Sequence, residues 1–346
     1  MAGGGEPLAG RQDRWRGAAD ASQDVRIECR DGVVLHGHLW PGQGGEPADS
    51  VIINAATGVL ARYYHPYARF LAANGFDVLT YDYRGIGRSR PASLRGSGYR
   101  WRDWGEQDFD AALCFMLDRA ESRQAHASDA GARDRDDRPA SGDGTASPAA
   151  DRRARSMLVV GHSIGGFLPG LSAHAGRIDR MLTVGAQYAY WRDYAPGQRR
   201  KLFLKWHVAM PLLTAAFGYF PGKRLGWLED LPAGVAHEWS FRRARMERNH
   251  PPPARQSVLD RFSAVTAPIL AVTVTDDELG TLPAIRRTLA YYRRAPVTTV
   301  SLAPADFGFD HIGHFGLFHD RHADGFWRGT LEWLREGVNP WTAKVV

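Results

Sequence analysis

The sequence predicts an α/β protein: a doubly wound, mostly parallel sheet with an inserted helical cap. Three observations carry that expectation. Short runs rich in Val, Ile and Leu alternate with helix-length amphipathic segments, the arrangement that right-handed βαβ crossovers need. Residues 186–260 interrupt the alternation with a stretch rich in Trp, Tyr, Phe and Arg. The chain has 346 residues, more than the roughly 250–300 at which one hydrophobic core stops growing, so the surplus must sit in elaborations.

Residues 1–23 show no periodicity and balance three Arg against Glu6, Asp13 and Asp20, the composition of a solvated, disordered tail. From Asp24 to Arg30 the apolar residues alternate, Asp31-Gly32 supplies a turn, and Val33–Trp40 alternates again, which predicts a hairpin. Ser50–Asn54 is an apolar run suited to a strand buried on both faces. Tyr64–Asn74 has helical spacing closed by Gly75, and Phe76–Tyr81 reads as the next strand. Asp108–Leu117 predicts an amphipathic helix. Residues 121–156 then hold seven acids, seven arginines and no aromatic side chain, so they are expected to be a neutral, disordered insertion. The sheet resumes at Met157–Val160, Met181–Val184, Ile269–Val274 and Val297–Val300. A helix over Phe326–Glu336, apolar at Trp327, Leu331 and Leu334, closes the fold.

These boundaries give a tail (1–23), a first core part (24–185, with the 121–156 insertion), a cap (186–260) and a second core part (261–346). Cap helices are expected near 198–218 and 234–248, separated by Pro221-Gly222 and followed by Pro251–Pro253. Leu202–Phe220 has nearly the apolar content of a membrane span, but Lys205, His207 and Pro211 interrupt it, which favours an amphipathic cap helix.

With 44% hydrophobic and 24% charged residues the composition excludes a collagen-like repeat or a disulfide scaffold. Cys29 and Cys114 are the only cysteines, which fits a reducing compartment. The first twenty residues contain no apolar stretch of signal-peptide length, and a cytoplasmic location is expected.

The chemistry concentrates at Gly161-His-Ser-Ile-Gly165, a G-x-S-x-G pattern lying directly after a buried strand and before a segment that can start a helix. Ser163 would stand at the carboxyl edge of the sheet, where open α/β sheets bind their ligands. A serine hydroxyl needs a base, and the base an orienting acid. Asp276 and Asp277 follow the strand Ile269–Val274. Asp277 is favoured because it begins the segment that turns away into a helix, while Asp276 stays open. Among His311, His314, His319 and His322, His314 is preferred because Gly313 and Gly316 permit a loop over the sheet edge. The H-E-x-x-H spacing of a zinc site is absent, so no metal is expected. The amide of Ile164 supplies one oxyanion donor, and the small-residue loop Asn54–Gly58 supplies the other from Ala56 or Thr57. Thr57, Tyr64 and Trp206 are read as substrate-binding residues, with Trp191, Trp227 and Trp239 as further aromatics for an apolar acyl site.

Together Asp82–Ser89 after a strand, Gly161–Gly165, Asp277 and Gly313-His314 resemble the α/β-hydrolase fold in its serine-hydrolase form, and the order Ser, Asp, His matches. Ala56–Gly58, Leu79–Gly87 and Ile312–Gly316 are similar more narrowly to bacterial serine-aminopeptidase-like hydrolases. The resemblance spans residues 24–120 and 157–340 and departs at Asn54-Ala55, where His-Gly is usual. It implies an acylated Ser163, His314 as general base and then acid, Asp277 as orienter, and no cofactor. The implied reaction is cleavage of a small-molecule ester, thioester or amide. An acyltransferase with the same three residues, or a non-catalytic binding protein on this fold, are the alternatives. A serine at the elbow sets the chain apart from the dehalogenase and epoxide hydrolase branches.

Finally, 44 basic and 38 acidic residues give a net charge of +6. The cap contains 12 basic and 6 acidic side chains, leaving 32 against 32 elsewhere. No nucleic-acid motif accompanies the charge. The excess, Arg242, Arg243 and Arg245 included, is expected to favour acidic or amphiphilic substrates, or weak contact with anionic lipid, at the mouth of the site.

Overall fold

The computed structural model describes residues 22–43, 48–136 and 155–346. Among the described residues there are ten strands: β1 Gln23–Glu28, β2 Val34–Trp40, β3 Ser50–Asn54, β4 Asp77–Tyr81, β5 Met157–His162, β6 Arg180–Val184, β7 Tyr219–Phe220, β8 Leu231–Pro232, β9 Ile269–Val274 and β10 Val297–Leu302. Eight of them form one sheet in the order β1-β2-β4-β3-β5-β6-β9-β10. The β1–β2 and β2–β4 ladders are antiparallel and the rest are parallel. Every residue of β3, β4, β5 and β9 is buried. Strands covered on both faces carry continuous apolar runs, which is why these segments read as they do. The flanking helices include α1 His65–Ala73, α2 Asp110–Asp136, α3 Met210–Phe217, α4 Ala233–Ser240, α5 Arg255–Ala264, α6 Leu282–Leu289 and α7 Arg328–Glu336. Of these, α1 packs on β4, α2 on β3, and α7 on β6.

Register positions the site. Asn54 pairs with Gly161, His162 with Val184, and Val184 with Val272, so β3, β5, β6 and β9 end at one edge. The segments after those four strands therefore meet there.

The cap lies between β6 and β9. Its first helical run continues from Arg199–Phe203 through the wider turns of Leu204–Ala209 into α3, and Gly218, at a φ of 76°, ends it. A short β7–β8 hairpin and α4 follow. The ring of Trp206 stacks on Trp239 at 4.7 Å and meets Trp227 edge-on at 5.8 Å. Among the described residues no helix is long and apolar enough to cross a membrane.

Three segments differ from the sequence reading. The stretch after Gly165 forms short tight turns, Ser163–Gly166 and Leu168–Leu171, in place of a continuous helix. Pro169 removes a donor, and the Tyr292 hydroxyl takes up the Gly166 and Phe167 carbonyls and the Gly170 N–H, substituting tertiary bonds for helical ones. Helix α4 stops at Ser240, eight residues before the expected end, because Arg242 turns inward. Helix α2 runs on to Asp136, past the expected start of disorder at 121; alanine, the strongest helix former, recurs along this stretch, and Arg123 ties its start to Asp77. Within the expected disordered segments, 1–21 and 137–154 lie outside the described residues.

A buried ion pair anchors the turn after β4. The Arg84 side chain is 2% exposed and that of Asp108 is fully buried, with Nε 2.6 Å from Oδ1. The Arg84 backbone N–H donates to the same carboxylate at 2.8 Å, and its guanidinium reaches Asp31 across the β1–β2 turn. Burial pushes the Asp108 carboxyl up, and Arg84 opposes that shift. Removing one partner of such a pair strands the other charge. Asp108→Ala should therefore lower unfolding stability by about 3 kcal/mol or more in urea denaturation. Arg88→Ala, which breaks the exposed pair with Asp24, should leave the midpoint unchanged.

Candidate active site

Strand β5 delivers Ser163 into left-handed backbone, at a φ of 54°. A non-glycine residue holds that conformation only where its surroundings impose it. Here the chain reverses so tightly that a Cβ at Gly161 would strike Gly166, and one at Gly165 would strike the Asn54 carbonyl. The expected glycines are thus required by close approach, and Ser163 is held at the edge of a cavity.

His314 reaches the same cavity from the loop after β10. Its Nδ1 lies 2.7 Å from Asp277 Oδ2. With Nδ1–H donated to the carboxylate, the neutral ring leaves Nε2 free to accept a proton. Asp277 also accepts from the Leu279 and Gly280 N–H groups at 2.8 and 2.7 Å. Burial raises the Asp277 carboxyl, but His314 and these donors outweigh it, holding the group below its usual range.

The neighbouring Asp276 has a different partner set. Its carboxylate accepts from the Ile312 and Gly313 N–H groups at 2.9 and 3.0 Å and pairs with His311 at 2.6 Å. It clamps the loop that carries His314. Tyr63 holds the loop from the other side, donating to the Phe315 carbonyl at 2.9 Å. His319 packs against Tyr63, and His322 is buried beside Phe307 and Phe309.

His162, one residue before Ser163, is wholly buried. Its Nε2 lies 2.8 Å from the His314 carbonyl, so that nitrogen carries the proton, and Nδ1 accepts from Tyr64 Oη at 2.7 Å. The Tyr64 oxygen in turn accepts the Ala56 N–H at 2.9 Å. Two expectations change on this chain of bonds. Tyr64 is not a wall of the cavity but lies behind it, because its buried hydroxyl is fully used by Ala56 and His162. The Ala56 N–H is spent on the same hydroxyl, whereas among the described residues no group accepts the Thr57 N–H.

The cavity measures about 130 Å³. Ala56, Thr57, Ser163, Ile164 and His314 line one side, and Trp206, Trp227, Trp239 and Leu202 from the cap line another. Trp191 packs instead on Phe203. Sequence reasoning missed Gln187, Lys205, Glu278 and Leu279, which also line it. The signal for Gln187 is its place just beyond β6, at the same sheet edge as Ser163. For Lys205 it is the charge set inside an apolar helix. Two lining residues hold buried polar atoms with no partner among the described residues: Gln187 Oε1 and Trp206 Nε1. Such orphans cost about 1–3 kcal/mol each. Outside the cavity an open groove of about 720 Å³ shares Trp227, Leu228 and Phe315 with it.

Two further expectations meet the structure here. Arg242 does not belong to the surface charge of the cap: it is 6% exposed and stacks on Trp101 at 4.1 Å and Tyr188 at 5.2 Å. Its planar cation finds better contacts between two rings than in a helix. Arg243 and Arg245 are exposed. The grouping with metal-ligand spacing among the described residues is Asp110, Cys114 and His174, with donor atoms within 4.8 Å of one another. Ser172, His174 and Arg30 already take up the Asp110 carboxylate.

A parallel sheet with a strained serine at its carboxyl edge, a histidine–aspartate pair beside it and a cap inserted between two late strands defines the architecture of α/β hydrolases. The chain belongs to the alpha/beta hydrolase family, whose model matches residues 15–328. No curated protein sequence matches it. Its fold is similar to that of a soluble variant of monoglyceride lipase from Saccharomyces cerevisiae, at 14% identity and a TM-score of 0.56, covering 91% of this chain and 95% of that one. An esterase from Pyrococcus furiosus gives 15% identity and a TM-score of 0.51, over 90% and 89% of the two chains. DcsB, solved with its substrate analogue, gives 16% and 0.52 over 92% and 99%.

Burial lowers the His162 pKa to about 3, with His314 adding to the shift. The unfolded chain, with an ordinary histidine near 6.5, binds a proton that the folded state refuses. Stability is therefore fully present above about pH 6.5 and is lost as pH falls toward 3, at about 1.4 kcal/mol per unit for this residue. In His162→Gln the dependence of unfolding free energy on pH between 6 and 4 should flatten by about that amount. An unchanged slope would show that His162 is not the residue held neutral.

Proposed function

We propose that the protein is a serine hydrolase that cleaves a carboxylic ester, thioester or amide through an acyl-enzyme. The observation that carries this reading is the 2.7 Å bond between His314 Nδ1 and Asp277, beside a serine forced to positive φ at the same cavity. Ser163 Oγ attacks the carbonyl carbon while His314 Nε2 takes its proton. The tetrahedral oxyanion is held by the Ile164 N–H and, from the Asn54–Gly58 loop, by the Thr57 N–H, which is unclaimed where that of Ala56 is not. His314 then protonates the leaving group, and water repeats the sequence in reverse to release the acid. Asp277 keeps the imidazole in the accepting tautomer.

Intact protein should gain one adduct with a fluorophosphonate probe by mass spectrometry, and Ser163→Ala should gain none. Equal labelling of both would remove Ser163 from the mechanism. Asp277→Asn should lower kcat on a p-nitrophenyl ester on the order of 10³–10⁴-fold, whereas Asp276→Asn, which loosens the loop without touching the imidazole, should cost far less.

A weak contact with anionic lipid fits one face of the cap. Leu204, Val208 and Leu212, at 60%, 38% and 66% exposure, recur every four residues along its helical run, with exposed Arg200 and Lys201 one turn before them. An amphipathic helix of this kind lies in the headgroup plane. The protein should co-sediment with phosphatidylserine vesicles at low salt more than with phosphatidylcholine vesicles, and Leu212→Glu should reduce the bound fraction. Equal binding of both vesicle types by both proteins would discard the contact.

A further inference from the structure

The cavity beside Ser163 is apolar on its cap side but contains one cation, Lys205. Its ammonium lies over two indole faces, 4.4 Å from the Trp206 ring and 4.5 Å from that of Trp227. Among the described residues no carboxylate is within ion-pair distance of it. Glu278, exposed at the rim, is the only carboxylate among the lining residues and acts on Lys205 without forming a pair. A purely hydrophobic acyl chain would leave the cation unpaired, whereas a ligand with an anionic end satisfies the ammonium.

Resting on the hydrolase reading for the position of the scissile bond, we infer that Lys205 is a specificity-determining residue that binds a carboxylate on the acyl group, so that the substrate is a monoester, monothioester or monoamide of a short dicarboxylic acid. Volume limits the length. A cavity of about 130 Å³ is close to the ~150 Å³ apolar cavity that accepts one benzene, and it holds an acyl group of roughly six or seven heavy atoms. The open groove sharing Trp227, Leu228 and Phe315 leaves room outside for a larger alcohol, thiol or amine. The indole faces hold the lysine stem in place, and the desolvation that lowers the Lys205 pKa also strengthens its attraction for an anion.

Binding and turnover test this separately. Calorimetry with Ser163→Ala protein should detect monomethyl succinate and show much weaker binding of methyl butyrate. In the Ser163→Ala, Lys205→Met double variant, which keeps an unbranched stem between the indoles, that preference should fall on the order of tenfold or more, the scale of a charge-assisted hydrogen bond. Lys205→Arg should retain it. Arg243→Met, which removes a cation from the exposed surface of the cap away from the cavity lining, should leave it at the parent value. In turnover, the ratio of kcat/KM for p-nitrophenyl hemisuccinate to that for p-nitrophenyl butyrate should fall in parallel. Equal binding of the two esters by the Ser163→Ala protein, or a preference that survives Lys205→Met, would overturn the assignment. If the binding preference and its loss are seen while wild-type protein neither turns over an ester nor takes a fluorophosphonate, the hydrolase reading falls and the carboxylate site stands.

Discussion

A neutral histidine buried behind Ser163 ties the site together. His162 accepts from Tyr64 and donates to the backbone of His314, and Tyr64 in turn accepts from Ala56. Three separate segments, those after β3, β5 and β10, are thus joined by one imidazole that has a single consistent tautomer. Protonating it would put two donors where one acceptor is needed, at a ring with no exposed surface. The position of the His314 loop relative to Ser163 therefore depends on a group that stands behind both. Asp276 and Tyr63 hold the same loop from outside, so its geometry is fixed by bonds on three sides.

The cap contributes chemistry of another kind. Its indoles form a wall that excludes water, and they also provide the faces on which an ammonium can rest without a counter-ion. Cation–π attraction is weaker than an ion pair but leaves the charge free for a ligand. A carboxylate partner supplied by the protein would have neutralised Lys205 permanently. The aromatic support and the lack, among the described residues, of a carboxylate within ion-pair distance therefore work in the same direction.

All eight strands of the main sheet were legible in the sequence: the central ones, buried on both faces, are written as unbroken apolar runs, and β1 and β2, half-exposed, as an alternation around Asp31-Gly32. The residues gathered at the cavity were legible for a related reason: Ser163, Asp277 and the Asn54–Gly58 loop immediately follow such runs, and strand ends share an edge. What escaped was whatever depends on a partner distant in the chain. The turns after Gly165 are set by the Tyr292 hydroxyl more than a hundred residues later. Tyr64 sits in helical spacing that places it near the site, yet only the fold shows its hydroxyl consumed by Ala56 and His162. Arg242 counted as surface charge because nothing local announces the rings of Trp101 and Tyr188. Lys205 was visible as an interruption in an apolar helix, evidence against a membrane span, but its place at the cavity follows from how the cap docks.

That docking has a consequence for traffic through the site. Within the cap Arg242 donates to the Tyr188 carbonyl and lies over the Tyr188 ring, and its other face rests on Trp101 of the core, with burial pulling its pKa down to about 10. Lifting the cap away would separate that guanidinium from the Trp101 ring and cost one cation–π contact. The open groove between Gly58–Leu60 and Trp227–Glu229 meets the cavity at Trp227, Leu228 and Phe315, so a passage along that seam would not require Arg242 to leave Trp101.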